Sequence, residues 1–339
     1  MNETMEREIR AQEEILPACL QPLAATVSDI PRPGGRIFAG GCGDSAFAPA
    51  ALGDVFRALE LDVRATTAME LAGYSALTST DTVILSSISG GTRRTVEAAH
   101  AAKQAGARVV ALTCRADSDL ANLADHLVLL PFAPISRKTP HTLDYLVTLQ
   151  ALAMLALSWS GREPRTIAAS LEKLPGWIAV AEDRNRDLLA RIGAAQRFVF
   201  LGGGPDLGSA AYAAAKLHEA GGFLALAAET ENFIHGMNFI LEPDDALITI
   251  ATSEMSKRRG QEVCSAYQTI GVRSWSVERM PNMPSGPVER FSAVISATIE
   301  LQLFCLKLAT RLGLEVERPR AGRLMGEEHR RIQTVLMAS

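Results

Sequence analysis

The chain has 339 residues, enough for two ordinary domains. With 47% hydrophobic and 21% charged residues it has the composition of a folded, water-soluble protein. A net charge of −4 and scattered basic residues argue against a nucleic-acid or anionic-membrane partner, whose usual footprint is basic.

Residues 2–29 read as a leading helix, charged and without the apolar centre of a signal peptide. "SDIPRPGG" (Ser28 to Gly35) is a turn-rich entry into the first half of the chain. "GRIFAGGCGDSAFAPAALGDVFRALEL" then reads strand, glycine turn, helix. "DTVILSSISGGTRRTVEAAHAAKQAGARVVAL", from Asp81, reads strand, polar turn, helix, glycine, strand. "HTLDYLVTLQALAMLALSWSG" is a long helix that closes this half. "GREPRT" breaks it, and a connecting helical segment comes next, interrupted near Pro175 and Gly176.

The pattern then repeats. "QRFVFLGGGPDLGSAAYAAAKLHEAGG" echoes the first unit, and "DALITIATSEMSKRRGQEVCSAYQTIGVRSWSV", from Asp245, echoes the second. The offset drifts only from 161 at Arg36/Arg197 to 165 at Gly106/Gly271. Strands alternating with helices predict an α/β fold: two tandem, doubly wound parallel sheets with helices on both faces. The expected segments are an N-terminal helical stretch over 1–34, a first unit over 35–160, a connecting helix over 161–194, a second unit over 195–320 and a tail over 321–339. No run of about 18 uninterrupted apolar residues is present, so no membrane span is expected. The five cysteines are far apart and in no CxxC pattern, which fits reduced thiols in a cytoplasmic protein. No histidine and cysteine cluster has zinc spacing, and no metal is expected.

In open α/β sheets ligands lie beyond the carboxyl ends of the strands. Ser87, Ser89 and Thr92 stand at such an end, beside Gly90 and Gly91 and the start of a helix. Hydroxyls and a helix N-terminus together make an anion cradle, although the same residues could simply cap the helix. Cys42, Gly43, Asp44 and Ser45 end the first strand and could face that loop across one crevice. The G-x-G-x-x-G spacing of a dinucleotide site is missing from "GGCGDSAFA", so a sugar-phosphate site is favoured and no cofactor is expected.

With both turns in hand, the chain resembles the sugar isomerase (SIS) domain family, in tandem form, most of all the isomerase half of glucosamine-6-phosphate synthase. The family's "GCGTS" turn is matched by "GCGDS" (Gly41 to Ser45), and its "SQSGET" loop by "SISGGT" (Ser87 to Thr92). Its K-x-x-E, with HG sixteen residues later, is matched by Lys216, Glu219 and His235-Gly236. The resemblance implies that Ser45, Ser87, Ser89 and Thr92 hold the anionic end of a sugar phosphate. It implies Glu219 as the base between C1 and C2, and Lys216 near the C1 and C2 oxygens. His235 would open the ring, and in this family it can come from the neighbouring subunit. The chemistry suits these residue types: an enediol needs a tuned carboxylate, an acid/base near neutrality and a cation near the developing charge. Glu229, Glu231 and His218 are rival groups nearby.

Three departures shape the expectation. Ile88 replaces the family glutamine. Asp44 replaces a threonine and would repel phosphate unless a cation or sugar hydroxyls intervene, with Arg93, Arg94, Arg137 and Lys138 as candidate cations. The synthase's C-terminal lysine motif is replaced by "ERPRAGRLMGEEHRR", and no glutaminase domain is expected, so neither is glucosamine-6-phosphate synthesis. The expected activity is metal-independent aldose–ketose isomerisation of a phosphorylated or sulfonated sugar through an enediol. The alternatives are an aminosugar-phosphate deaminase or deglycase, and a non-enzymatic sugar-phosphate sensor. The expected partner besides substrate is a second copy, forming a homodimer with shared active sites.

Overall fold

Short apolar runs at Ile37–Gly41 (β1), Thr82–Ser86 (β3) and Arg108–Thr113 (β4) form the middle of a five-stranded sheet, flanked by Val63–Thr67 (β2) and His126–Leu129 (β5). The strand order is β2-β1-β3-β4-β5 and every pairing is parallel. A second sheet is built from Arg197–Gly202 (β6), Leu224–Glu229 (β7), Ala246–Ala251 (β8) and Arg273–Glu278 (β9), again all parallel, in the order β7-β6-β8-β9. The computed structural model describes residues 2–136, 140–193, 195–279 and 286–338.

The first four strands of each half thus share one plan, and the likeness reaches single side chains. Arg36 on the approach to β1 forms a two-pronged ion pair with Asp81 before β3, at 2.9 and 2.7 Å. Arg197 does the same with Asp245, at 2.8 Å on both prongs. Each aspartate also accepts a backbone N–H three residues upstream, from Thr78 and Glu242 respectively. Fork-to-fork pairs of this kind fix geometry as well as charge.

Alternation along the strands sorts their side chains between faces. Val83 and Leu85 of β3, with Val109 and Ala111 of β4, pack outward under the helix Arg93–Gln104. Val199, Leu201 and Leu247 pack outward on the second sheet. Ile84, Val110, Phe198, Phe200 and Ile248 face the other way, into one large core that both sheets share. That core is filled by helices. Leu143–Trp159 is buried almost all round, as a helix apolar on every side must be. It packs on Glu3–Ser28, while Pro287–Arg311 packs on Leu174–Ile192. Pro287–Arg311 has the length and apolarity to cross a membrane, but its side chains are buried in the shared core.

The connecting segment is interrupted at residues 172–173, between the helices Ala168–Leu171 and Leu174–Ile192, and Pro175 stands in the first turn of the second, where a missing N–H costs no intrahelical bond. The tail folds back as the helix Gly326–Ala338.

The two halves meet where the helix Asp206–Gly221 crosses the helix Asp44–Ala51. Gly208 makes this crossing possible. A Cβ there would lie 2.4 Å from the Ala51 nitrogen and 2.8 Å from the Ala50 carbonyl carbon.

Candidate active site

The order of the first sheet reverses between β1 and β3, and ligands in open α/β folds bind beyond the strand ends at such a point. The loops that leave β1 and β3 there border a cavity of about 400 Å³. Cys42, Gly43, Asp44 and Ser45 line it from the first loop and Ser87, Ile88, Ser89 and Thr92 from the second. All seven binding residues expected from the sequence therefore face one space.

The hydroxyl loop is not a simple helix cap. Thr92 is the N-cap of Arg93–Gln104, yet its side chain makes no capping bond to the helix. Its hydroxyl pairs instead with that of Ser87 at 2.9 Å, and the Ser87 hydroxyl accepts the Gly90 N–H at 3.1 Å. The Ser89 hydroxyl accepts the Gly91 N–H at 3.3 Å. Gly90 has φ +66°, and a Cβ there would approach the Ser118 hydroxyl to 2.0 Å, so the tight turn demands glycine.

The helix Asp206–Gly221 brings the second half to the cavity. Glu219 lines it directly. Lys216 does not; it is 1% exposed and sits behind the wall, donating to Asp44 at 2.7 Å and to Glu219 at 2.6 Å. Among the described residues the countercharge of Asp44 is therefore Lys216, from the other half of the chain. Arg93 and Arg94 are committed to Glu97, and Arg137 and Lys138 lie outside the described residues. Burial pushes the Lys216 ammonium toward losing its proton, but Asp44 and Glu219 outweigh it and hold the group well above the ordinary lysine range. Enclosure raises the Glu219 carboxyl above the ordinary range. Lys216 pulls it down and the Asp44 charge pushes it up, with a net rise.

His235 is not brought to this cavity within one chain. It is exposed, at the end of the helix Thr230–Ile234, beside the exposed Phe239 and Ile240. The rival groups are engaged elsewhere. Glu229 accepts the Asn232 N–H, Glu231 pairs with Arg259, and the His218 ring meets the Ala225 carbonyl.

Sequence reasoning missed one wall. His141, Asp144, Tyr145 and Thr148 line the cavity from the start of the helix Leu143–Trp159. His141 Nδ1 lies 2.7 Å from the Asp144 carboxylate, and Asp144 is 4% exposed. The Asp144 hydrogen bond raises the imidazole above its ordinary value, although burial and Lys216 oppose it. Tyr145 stacks on Tyr212 with ring centroids 3.9 Å apart, and its buried hydroxyl has no hydrogen-bond partner among the described residues. The signal in the sequence was H-x-x-D at helical spacing, polar residues opening an otherwise apolar helix. Gln333 and Met337 of the helix Gly326–Ala338 complete the lining.

Beyond β6 in the second sheet the polar groups bond to one another. Asp206, which stands 161 residues after Ser45 as Gly202 does after Gly41, is 2% exposed. Its carboxylate accepts the Thr252 hydroxyl and, at 3.2 Å, the Thr252 N–H.

No group of three or more metal-ligating side chains stands together among the described residues.

Residues 32–158 match the family model described as the SIS domain. It is 28% identical over 258 residues to glutamine–fructose-6-phosphate aminotransferase (isomerizing) of Gloeobacter violaceus, an alignment spanning 70% of this chain and 42% of that protein. It is 44% identical over 66 residues to 3-hexulose-6-phosphate isomerase of Mycobacterium gastri, spanning 20% of this chain and 32% of that protein. The chain thus spans less than half the length of these curated relatives. Among solved structures, glucosamine-6-phosphate deaminase from Thermotoga maritima superposes with a TM-score of 0.78 at 18% identity, covering 93% of this chain and 97% of that one. At that identity the likeness is one of fold.

Proposed function

We propose that this protein is an aldose–ketose isomerase for a sugar carrying a phosphate or another anionic group. The observation that carries the reading is the confrontation, across one cavity, of a hydroxyl-rich loop at a sheet switch point with a carboxyl group whose proton affinity is raised. Ser45, Ser87, Ser89 and Thr92 offer hydrogen bonds to the anion, and the N-terminus of the helix Arg93–Gln104 adds its dipole. Glu219 then stands at the reacting carbons, and a raised carboxyl suits a base that must also return its proton. The buried ammonium of Lys216 supplies fixed positive charge near the developing enediolate. The names of the relatives, all of sugar-phosphate enzymes, agree with this.

On this reading the second half is a diverged copy of the first, and two chains pair so that His235 with its exposed apolar neighbours serves the partner's site in ring opening. A second reading has support of its own. Three carboxylates, Asp44, Asp144 and Glu219, line the cavity, which favours a substrate bearing an ammonium group. That is the case of an aminosugar phosphate or a sugar–amine adduct, with amine release as the reaction.

The test uses fructose 6-phosphate, 3-hexulose 6-phosphate and glucosamine 6-phosphate in D2O. Isomerisation predicts deuterium on the carbon beside the carbonyl without ammonia; the second reading predicts ammonia release. Glu219→Gln should lower either turnover by about 10²–10⁴-fold. Wild-type turnover by this variant would remove Glu219 from the chemistry.

A further inference from the structure

An enediol path moves two protons, one between carbons and one between oxygens. Glu219 accounts for the first. Lys216 is poorly suited to the second, because Asp44 and Glu219 grip its ammonium and raise its hold on the proton. A separate group must therefore exchange a proton with the substrate oxygens.

We propose that His141, oriented by Asp144, is that group, and that it acts in the cavity of its own chain. This rests on the isomerase reading above. The geometry is specific. Asp144 is buried and takes up Nδ1 at 2.7 Å, which leaves Nε2 as the nitrogen available to a ligand. The turn that carries His141 is anchored from three other helices. Its carbonyl accepts the Tyr212 hydroxyl at 2.9 Å. Gln302 donates to the Thr142 carbonyl at 3.1 Å and to the Tyr212 hydroxyl at 3.0 Å, and the Thr142 hydroxyl donates to Glu8 at 2.9 Å. So buried a network, fully tied to one short turn, holds a ring in place more firmly than packing alone. The Tyr145 hydroxyl, which lines the same cavity and is buried without a partner among the described residues, needs an acceptor that a sugar oxygen would provide.

The step balances. Glu219 takes the proton from the carbon beside the carbonyl, and that C–H electron pair becomes the C=C of the enediol. The carbonyl π pair moves to oxygen, which takes a proton from the His141 imidazolium. Next the neighbouring hydroxyl returns a proton to neutral His141, and its O–H pair forms the new C=O. The C=C pair takes the proton from Glu219 onto the former carbonyl carbon. Both side chains end as they began, and no co-reactant is needed.

The charges facing the ring fit this cycle. Asp144 on its own helix and Asp44 across the cavity favour the imidazolium, Lys216 opposes it, and Glu219 interacts with it from the same side as Lys216. His141 must start protonated, so activity falls as pH rises through its pKa. Removing the Asp144 charge lowers that pKa and moves the basic limb to lower pH.

The experiment measures kcat, KM and the pH profile of wild type, His141→Gln, Asp144→Asn and Glu219→Gln on whichever of fructose 6-phosphate, 3-hexulose 6-phosphate or glucosamine 6-phosphate wild type labels in D2O. His141→Gln should lower kcat by about 10²–10⁴-fold with KM nearly unchanged. Asp144→Asn should shift the basic limb down by about one pH unit, which a merely structural role would not do. Should His141→Gln fail to fold, the Asp144→Asn shift decides. Mixing His141→Gln with Glu219→Gln should restore nothing, since both side chains belong to one chain's cavity. A His141→Gln protein with wild-type kcat and pH profile, while Glu219→Gln is inactive, overturns this inference and leaves the isomerase reading standing. An active Glu219→Gln, or no labelling by wild type, fells the reading itself and this inference with it.

Discussion

Asp206 shows how one side chain can decide whether a crevice is a site. In the first half the equivalent position is Ser45, and the space beyond it is open. In the second half the Asp206 carboxylate takes the hydrogen bonds of Thr252 that an outside anion could have used. Holding this charge out of water is costly, and burial raises the Asp206 pKa to about 6. The folded protein then binds a proton there between pH 6 and the ordinary aspartate range, where the unfolded chain does not. Stability from this residue therefore grows as pH falls through 6 and is lost as pH rises through it. Between pH 7 and pH 5 wild type should gain about 1–1.5 kcal/mol relative to Asp206→Asn in urea unfolding, since one pKa unit is worth about 1.4 kcal/mol. An unchanged difference would mean that Asp206 titrates in its ordinary range.

At the scale of elements, the site depends on one crossing of two helices. Gly208 lets Asp206–Gly221 approach Asp44–Ala51 closely enough for Lys216 to reach Asp44. Gly208→Val would force the helices apart. Overpacking of this kind typically costs about 1–3 kcal/mol, and the larger effect should fall on activity, by more than about tenfold, because Glu219 moves with its helix. Calorimetry and steady-state rates on the same variant check both parts; a stable and fully active variant would show that the crossing tolerates a wider gap. The crossing also marks the limit of what the sequence disclosed. The strand–turn–helix units, their repetition and the two loops beyond β1 and β3 were legible, because apolar periodicity and turn residues are local signals. The partnership of Lys216 with Asp44 was not, since it joins residues far apart through a contact that no local pattern encodes. His141, Asp144 and Tyr145 were hidden for a related reason. They open a helix whose remaining residues are mostly apolar, and polar residues at a helix start are ordinary. Only packing reveals that this start borders a cavity.

For the molecule as a whole, the shared core matters most. Inner faces of both sheets and the helices between them bury one another, so neither half closes its own interior. The covalent link between them is far slighter: the chain leaves the helix Leu143–Trp159 and passes through the exposed residues 161–163 before continuing. A cut there would sever the backbone without opening the interior. Residues 1–161 and 162–339, produced as separate polypeptides, should find each other and reconstitute the cavity, since one supplies the hydroxyl loop and His141 and the other supplies Glu219. Each piece alone should be silent and prone to aggregate, and turnover should appear in proportion to the paired species, as tracked by sedimentation and rate together. The protein would then behave as a two-input switch: attached to two other proteins, the pieces would report, through a chemical signal, whether those proteins meet.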